Sequence, residues 1–314
     1  MKISIYFLDV RSFLSNLDRF VLTSMIYFLI VNYYSTNLVR KLINSIPTGL
    51  NVEYRIIIVN NSPEDYSIEE LSSQSVFILN NQNNLGFGRG CNRGLQWIYQ
   101  RDSHATVWII NPDTYFEEIS LEKVKQFFCL HPEVSILGTI IHTPTEKIWF
   151  AGGSFLSKNG SISTPDLLTN TNLDYVICDW VSGCSLIVNL GNFSVCPQFD
   201  DAYFLYYEDF DFCRRYANQG YLIAVTKDFG LLHQPSSITN RYIYHKVKHS
   251  TYSYLLTLER YTNNFIFTIR LMRLFLYAFI LIFIKPKVAF GKFIGLLMYG
   301  RQFTKRTKMK PLYQ

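Results

Sequence analysis

The chain has 314 residues, 48% of them hydrophobic and 16% aromatic. That excludes a disordered or fibrous chain and allows one large or two ordinary domains. Its net charge of +6 conceals a division: residues 261–314 carry ten Lys/Arg and no acid, leaving 20 basic against 24 acidic side chains, a net of −4, in residues 1–260.

Residues 1–24 do not make a signal peptide, because Asp9, Arg11, Asp18 and Arg19 break the apolar run. The first convincing strand, Ile26–Val31, follows Met25 directly. Met25 is therefore expected to be the natural start and residues 1–24 an extension. Beyond it, short β-rich runs alternate with helical patterns. Ser35 or Thr36 would cap a helix carrying Leu38, Val39, Leu42, Ile43 and Ile46 on one face, ended by Pro47 and Gly49. Arg55–Val59, Val76–Leu79 and Ala105–Ile110 read as further strands, and Val134–Ile141 as another after a helix over 120–130. This alternation predicts an α/β fold with a mostly parallel central sheet and helices on both faces. Ligands of such sheets bind at the carboxyl ends of the strands. Asn32-Tyr-Tyr, Asn60-Asn-Ser, Asn83-Asn-Leu-Gly and Asn111-Pro-Asp113 all fall there.

Residues 142–180, rich in Gly, Ser, Thr and Asn, read as loops and short antiparallel strands. Val181–Val188 returns to strand character, a helix is expected over 209–219, and Tyr221–Val225 and Leu231–His233 read as two strands. Ahead of that helix stands Tyr203-Phe-Leu-Tyr-Tyr-Glu-Asp-Phe-Asp-Phe-Cys-Arg-Arg215. Aromatic bulk raises the cost of a charged carboxylate, which makes an acid of this cluster a candidate general base. The competing reading is that Asp209 or Asp211 only caps the helix. The six cysteines form no C-x-x-C pair and no zinc-type spacing, so reduced cytosolic thiols are expected.

After residue 260, the uninterrupted apolar run Leu274–Ile284 has eleven residues, fewer than the ~20 needed to span a bilayer. With Arg270, Arg273, Lys285, Lys287 and Lys292 around it, and a second apolar patch at Phe293–Tyr299, the segment reads as helices lying in a membrane interface. Core helices with a basic rim, or one spanning helix, are the alternatives. A nucleic-acid partner is not expected, since the tail is apolar and carries no recognition motif.

The glycine run Asn84-Leu-Gly-Phe-Gly-Arg-Gly-Cys-Asn-Arg-Gly94, followed by Asp113, imitates a dinucleotide fingerprint and admits an NAD-type oxidoreductase. Against it, the glycines follow the third strand, Pro112 stiffens the acid's loop, and Glu208-Asp209 has no part in hydride transfer. The full set of elements resembles glycosyltransferase family 2, in its rhamnosyltransferase-like branch. Those elements are Ile30-Val-Asn-Tyr33, Val59-Asn-Asn-Ser62, the Asn84–Gly94 run, Asn111-Pro-Asp113-Thr, Trp180-Val-Ser-Gly183, Tyr206–Arg214 and His233.

The resemblance, carried by residues 25–240, implies a GT-A fold, expected over 25–260 ahead of the basic apolar tail at 261–314, and an inverting transfer from a nucleotide-sugar donor (dTDP-rhamnose or UDP-hexose type). The saccharide acceptor would be lipid-linked, and the protein peripheral on the cytoplasmic face of the membrane, in surface polysaccharide synthesis. Asp209 would be the catalytic base and Glu208 its orienting partner. Asn32, Asn60, Asn61, Asn84, Gly86, Gly90, Asn92, Asn111 and Arg214 would hold the nucleotide sugar. Asp113 and His233 would bind Mg2+ or Mn2+, and Trp180 and Gly183 would wall the acceptor side. Asn60 and Asn61 stand where many members carry a base-binding Asp. A non-catalytic nucleotide-sugar or glycan-binding relative is the alternative function.

Overall fold

The computed structural model describes residues 25–47, 52–235 and 243–309; the expectation about residues 1–24 and the helix-ending role of Gly49 lie outside these. The strands are β1 (Ile26–Asn32), β2 (Tyr54–Asn60), β3 (Val76–Asn80), β4 (Thr106–Ile110), β5 (Thr114–Tyr115), β6 (Val134–His142), β7 (Ile148–Phe150), β8 (Ser154–Leu156), β9 (Ser161–Ser163), β10 (Val176–Ile177), β11 (Ser185–Asn189) and β12 (Leu222–His233). The main sheet runs β10-β12-β6-β11-β4-β1-β2-β3. Strands β4, β1, β2 and β3 are parallel, as are β6 and β12, while β11 is antiparallel between β4 and β6. The GT-A-type α/β expectation holds.

All seven residues of β1 are buried, as a central parallel strand covered on both faces requires. One face meets helix α2 (Phe87–Tyr99). A Cβ at Gly94 would lie 2.1 Å from Leu29 Cδ1, and one at Gly90 2.8 Å from Val31 Cγ1, so these glycines let the helix reach the sheet. The other face packs Phe28 against Trp108 and Trp108 edge-on to Phe229, and Phe229 in turn meets Phe127 of helix α3 (Leu121–Leu130).

Three elements differ from the sequence reading. Helix α1 (Thr36–Asn44) starts after Ser35, whose hydroxyl donates to Asn32 Oδ1 (2.8 Å) instead of capping the helix. The run from Val181 becomes strand only at Ser185. The two strands expected over 221–233 are one, β12, with a register shift between Thr226 and Gly230 that leaves Lys227 and Asp228 exposed.

Helix α4 (Glu208–Ala217) carries the acid cluster. Helices α5 (Ile243–Tyr261), α6 (Asn264–Ile284) and α7 (Pro286–Met309) complete the described chain. A second core forms around Tyr203, Tyr252, Leu255, Leu256 and Tyr299. Gly295 brings α7 close to α5, since a Cβ there would stand 2.6 Å from Lys248 O. The division expected at 260/261 thus falls within a packed unit: α5 lies before it, yet packs on α7. Asp211, fully buried, accepts from Arg215 (2.7 Å), Arg260 (2.9 Å) and the Tyr261 hydroxyl (2.9 Å), which ties α4 to α5. Helix α6 is one continuous helix of 21 residues, long and apolar enough by composition to cross a membrane, with most of its apolar side chains exposed.

Candidate active site

The ends of β1, β2 and β3 are laced together by buried amides. Asn32 donates to Asn60 Oδ1 (3.1 Å) and accepts from Ser35 N–H (3.1 Å). Asn60 Nδ2 donates to Asn80 Oδ1 (3.0 Å) and Asp65 O (3.2 Å), and its Oδ1 accepts from Ser62 N–H (3.0 Å). Asn61 donates to Gly86 O (2.9 Å) and accepts from Asn81 (2.6 Å). Pairing spares each buried amide its desolvation penalty. The resemblance assigns these three asparagines to the nucleotide; the structure commits the amides of all three to the scaffold. Asn61 still lines a cavity of about 360 Å³ beside Tyr33, Asn84, Gly86, Asn111 and Asp113.

The glycine run divides in two. Asn84 Oδ1 accepts from Gly86 N–H (2.9 Å), and Gly86 has φ +84°, with Phe204 O 2.2 Å from where a Cβ would sit. Only glycine fits there. Gly90 and Asn92 do not join the cavity. Gly90 packs under Val31, and Asn92 clamps the backbone of Phe199, donating to its carbonyl (2.9 Å) and accepting from its N–H (2.7 Å). Both were expected at the nucleotide, but their side is taken by helix packing.

Asn111, Pro112 and Asp113 form the turn between β4 and β5. Strand β5 pairs antiparallel with the end of β12, Thr114 opposite His233. This register sets His233 Nε2 3.4 Å from Asp113 Oδ1, both side chains buried. Trp149 of β7 stands edge-on to the His233 ring, centroids 4.4 Å apart. Among the described residues no three His, Cys, Asp or Glu cluster to hold a metal alone. One carboxylate and one imidazole on a cavity wall suit a divalent cation that takes its other ligands from a substrate diphosphate and water.

The carboxylates follow two residues in the left-handed region, Tyr206 (φ +69°) and Tyr207 (φ +66°). Such backbone is costly for bulky residues and persists where surroundings impose it. Here Ser253 of α5 donates to Leu205 O (2.9 Å), Phe87 N–H donates to Phe204 O (3.1 Å), and Tyr207 packs on Tyr254. Asp209 Oδ2 accepts from Gly183 N–H (2.9 Å) and Oδ1 from Phe210 N–H (2.8 Å). Burial raises both acids. For Glu208, 5% exposed, burial and then the Asp209 charge push the carboxyl up to about 8, and its Oε2 has no hydrogen-bond partner among the described residues. The backbone donors around Asp209 oppose burial and favour its ionised form. At neutral pH Glu208 therefore holds its proton, while two backbone N–H groups on the Asp209 oxygens favour that carboxylate as the candidate general base.

Asp209, Glu208, Gly183, Trp180, Trp149 and His233 line a second cavity, of about 450 Å³. It meets the first at Phe87, Asn111, Asp113, Leu205 and Lys246. Trp180 packs on Phe150 and Phe210 while lining this wall. Arg214 is outside both cavities, bound to Asp179 Oδ1 (2.7 Å). The sequence reading missed Trp149 and the contribution of α5, whose His245, Lys246 and His249 line the cavities. Their one-sided spacing in His-Lys-Val-Lys-His was the available signal.

The two cavities meet at Asp113, one lying against the strand ends and the other against Asp209. The model of "Glycosyl transferase family 2" matches residues 27–186, just over half the chain, and the chain belongs to that family. This removes the oxidoreductase reading. Among curated proteins, none matches. Among solved structures, the crystal structure of S. aureus TarS aligns at 14% identity over 74% of this chain and 39% of that one, TM-score 0.49. S. aureus TarS 1–349 and its complex with UDP align at 14% and 15% identity over 74% of this chain and 65% of theirs, both with TM-score 0.46. The chain thus spans less than two thirds of the length of each neighbour.

Proposed function

We propose that the protein is an inverting glycosyltransferase that moves a sugar from a nucleoside-diphosphate sugar (dTDP-rhamnose or UDP-hexose type) to a hydroxyl of a lipid-linked saccharide. The observation that carries the reading is Asp209, held by Gly183 N–H in the same cavity as Asp113 and His233. The nucleoside would occupy the cavity at the strand ends, with its diphosphate at the junction and the acceptor against Trp180 and Gly183. As the acceptor oxygen bonds to the anomeric carbon, its proton passes to Asp209, and the bond to the diphosphate breaks with its electron pair leaving on phosphate oxygen. Protonated Glu208 keeps a second charge away from the base. Asp113 and His233 would hold Mg2+ or Mn2+, which when bound supplies charge neutralisation at the leaving group. With the amides of Asn60 and Asn61 engaged, Tyr33 and Asn84, which line the same cavity, would face the base.

Membrane attachment rests on α6. Met272, Phe275, Leu276, Phe279, Ile280 and Phe283 are exposed along it. Arg270 donates to Asn159 O (2.9 and 2.7 Å), holding the first turns of α6 to the β8–β9 hairpin. An end so tied to the body of the protein favours a helix lying on the cytoplasmic leaflet over one crossing it, with basic residues of α7 against anionic lipid.

The test is thermal stabilisation by UDP, dTDP and GDP, each with and without Mn2+, because a ligand that binds only the folded state raises Tm by mass action. A metal-dependent rise with one diphosphate supports the reading. Binding without turnover of any sugar donor would leave a non-catalytic relative, and no rise with any diphosphate would refute a nucleotide-sugar site.

A further inference from the structure

The leaving diphosphate carries growing negative charge, and Arg214, its expected cationic partner, is bound to Asp179 outside the cavities. Among the described residues that line the two cavities, Lys246 is the one lysine or arginine, and it lines both. It stands in the first turn of α5, whose positive dipole end adds to the same field. The neighbouring imidazoles do not supply this charge equally. His249 stacks on Phe204, centroids 4.4 Å apart, and burial, with Lys248 and His245 nearby, pushes it down to about 4, so it is a neutral ring at pH 7.

We propose that Lys246 is a catalytic residue of this transferase, its ammonium neutralising the nucleoside diphosphate as it departs; this rests on the glycosyltransferase reading above. The balance of the step is unchanged by it. The acceptor proton goes to Asp209, the C–O bond to the acceptor forms, and the C–O bond to phosphate breaks. Lys246 keeps all its protons and acts through charge alone. Its place is also held by structure. The same helix pins the Tyr203–Tyr207 loop through Ser253, and Arg260 at its far end binds Asp211, so α5 sets the cation and the acid cluster in one frame.

The experiment compares the full-length protein with Lys246→Ala, Lys246→Met and Lys246→Arg. Calorimetry would measure binding of UDP, dTDP and GDP, and of the matching nucleosides, in the presence of Mn2+ at two salt concentrations. The diphosphate bound by the wild type should lose at least about tenfold in affinity in Lys246→Ala and Lys246→Met, with a shallower salt dependence, while its nucleoside binds unchanged. Lys246→Arg should stay within about threefold, and Tm without ligand should match the wild type in all three. Diphosphate binding undiminished in both neutral variants would overturn the role of Lys246 and leave the glycosyltransferase reading standing. Equal loss for nucleoside and diphosphate would also overturn it, marking Lys246 as a structural residue. A wild type that binds no diphosphate would overturn both.

Discussion

The protonated state of Glu208 has a measurable consequence for stability. An ordinary glutamate titrates near 4.5, whereas Glu208 in the folded protein is pushed up to about 8 by burial and by Asp209. Below about pH 4.5 both states hold the proton and the fold is unpenalised. Between about 4.5 and 8 the unfolded chain releases the proton while the folded chain keeps it, so stability falls as pH rises, by at most ~1.4 kcal/mol per pH unit. Over the whole window the loss approaches about 5 kcal/mol, a large share of the stability of a typical domain. Glu208→Gln removes this titration. Its amide brings an extra N–H to a place where Oε2 has no partner among the described residues, which costs about 1–3 kcal/mol at every pH.

The pH dependence is therefore the informative quantity, not the absolute stability. Urea unfolding of both proteins at pH 5, 6, 7 and 8 without divalent cations gives the difference at each pH. It should move in favour of Glu208→Gln by about 3 kcal/mol from pH 5 to pH 8. Curves that stay parallel within about 0.5 kcal/mol would refute the reasoning. They would mean that Glu208 is ionised in the folded protein, and the roles assigned to the acid pair would fall with it.

Other perturbations separate the chemistry from the scaffold. Asp209→Asn should lower turnover by about 10²–10⁴-fold, with diphosphate affinity in calorimetry unchanged. Gly86→Ala should cost about 2 kcal/mol or more in urea unfolding, because φ +84° and the Phe204 carbonyl leave no room for a Cβ. Arg260→Ala should cost about 2 kcal/mol, since it withdraws a charged donor from fully buried Asp211 while Arg215 remains. The double change Ile280→Glu and Phe283→Glu on exposed positions of α6 should abolish flotation with anionic vesicles and leave Tm intact; undiminished flotation would count against α6 as the membrane contact. Deleting residues 265–314 is a poorer test, because it strips α7, and Tyr299 with it, from the second core.

The parallel strands were legible because β-branched apolar runs four to seven residues long, each closed by asparagine, have few other uses. Strand β12 was read as two because Lys227-Asp228 interrupts it, and a sequence does not distinguish a strand end from a bulge that turns two charged residues outward. Asp113, Glu208 and Asp209 drew attention because charge embedded in apolar sequence is costly unless it has a task, and His233 through the resemblance alone; the structure brings all four to one cavity. The amides were not. Asn60 looks like a ligand residue until Asn80 and Asn32, each at least twenty residues away, claim both ends of its side chain. Arg214 was misplaced in the same way, since its owner, Asp179, lies 35 residues earlier.

The glycine run shows where such reading fails in principle. A backbone that can approach a phosphate and a backbone that can approach a strand need the same missing Cβ. Of Gly86, Gly90 and Gly94, only Gly86 lines the cavity at the strand ends, and the other two seat α2 on Leu29 and Val31. Sequence supplies the small residue, and tertiary packing decides what fills the space. The same logic favours Lys246 over Arg214 at the junction. Arg214 lies outside both cavities, whereas Lys246 lines both and brings positive charge beside Asp113, where a diphosphate between two substrates would have to lie.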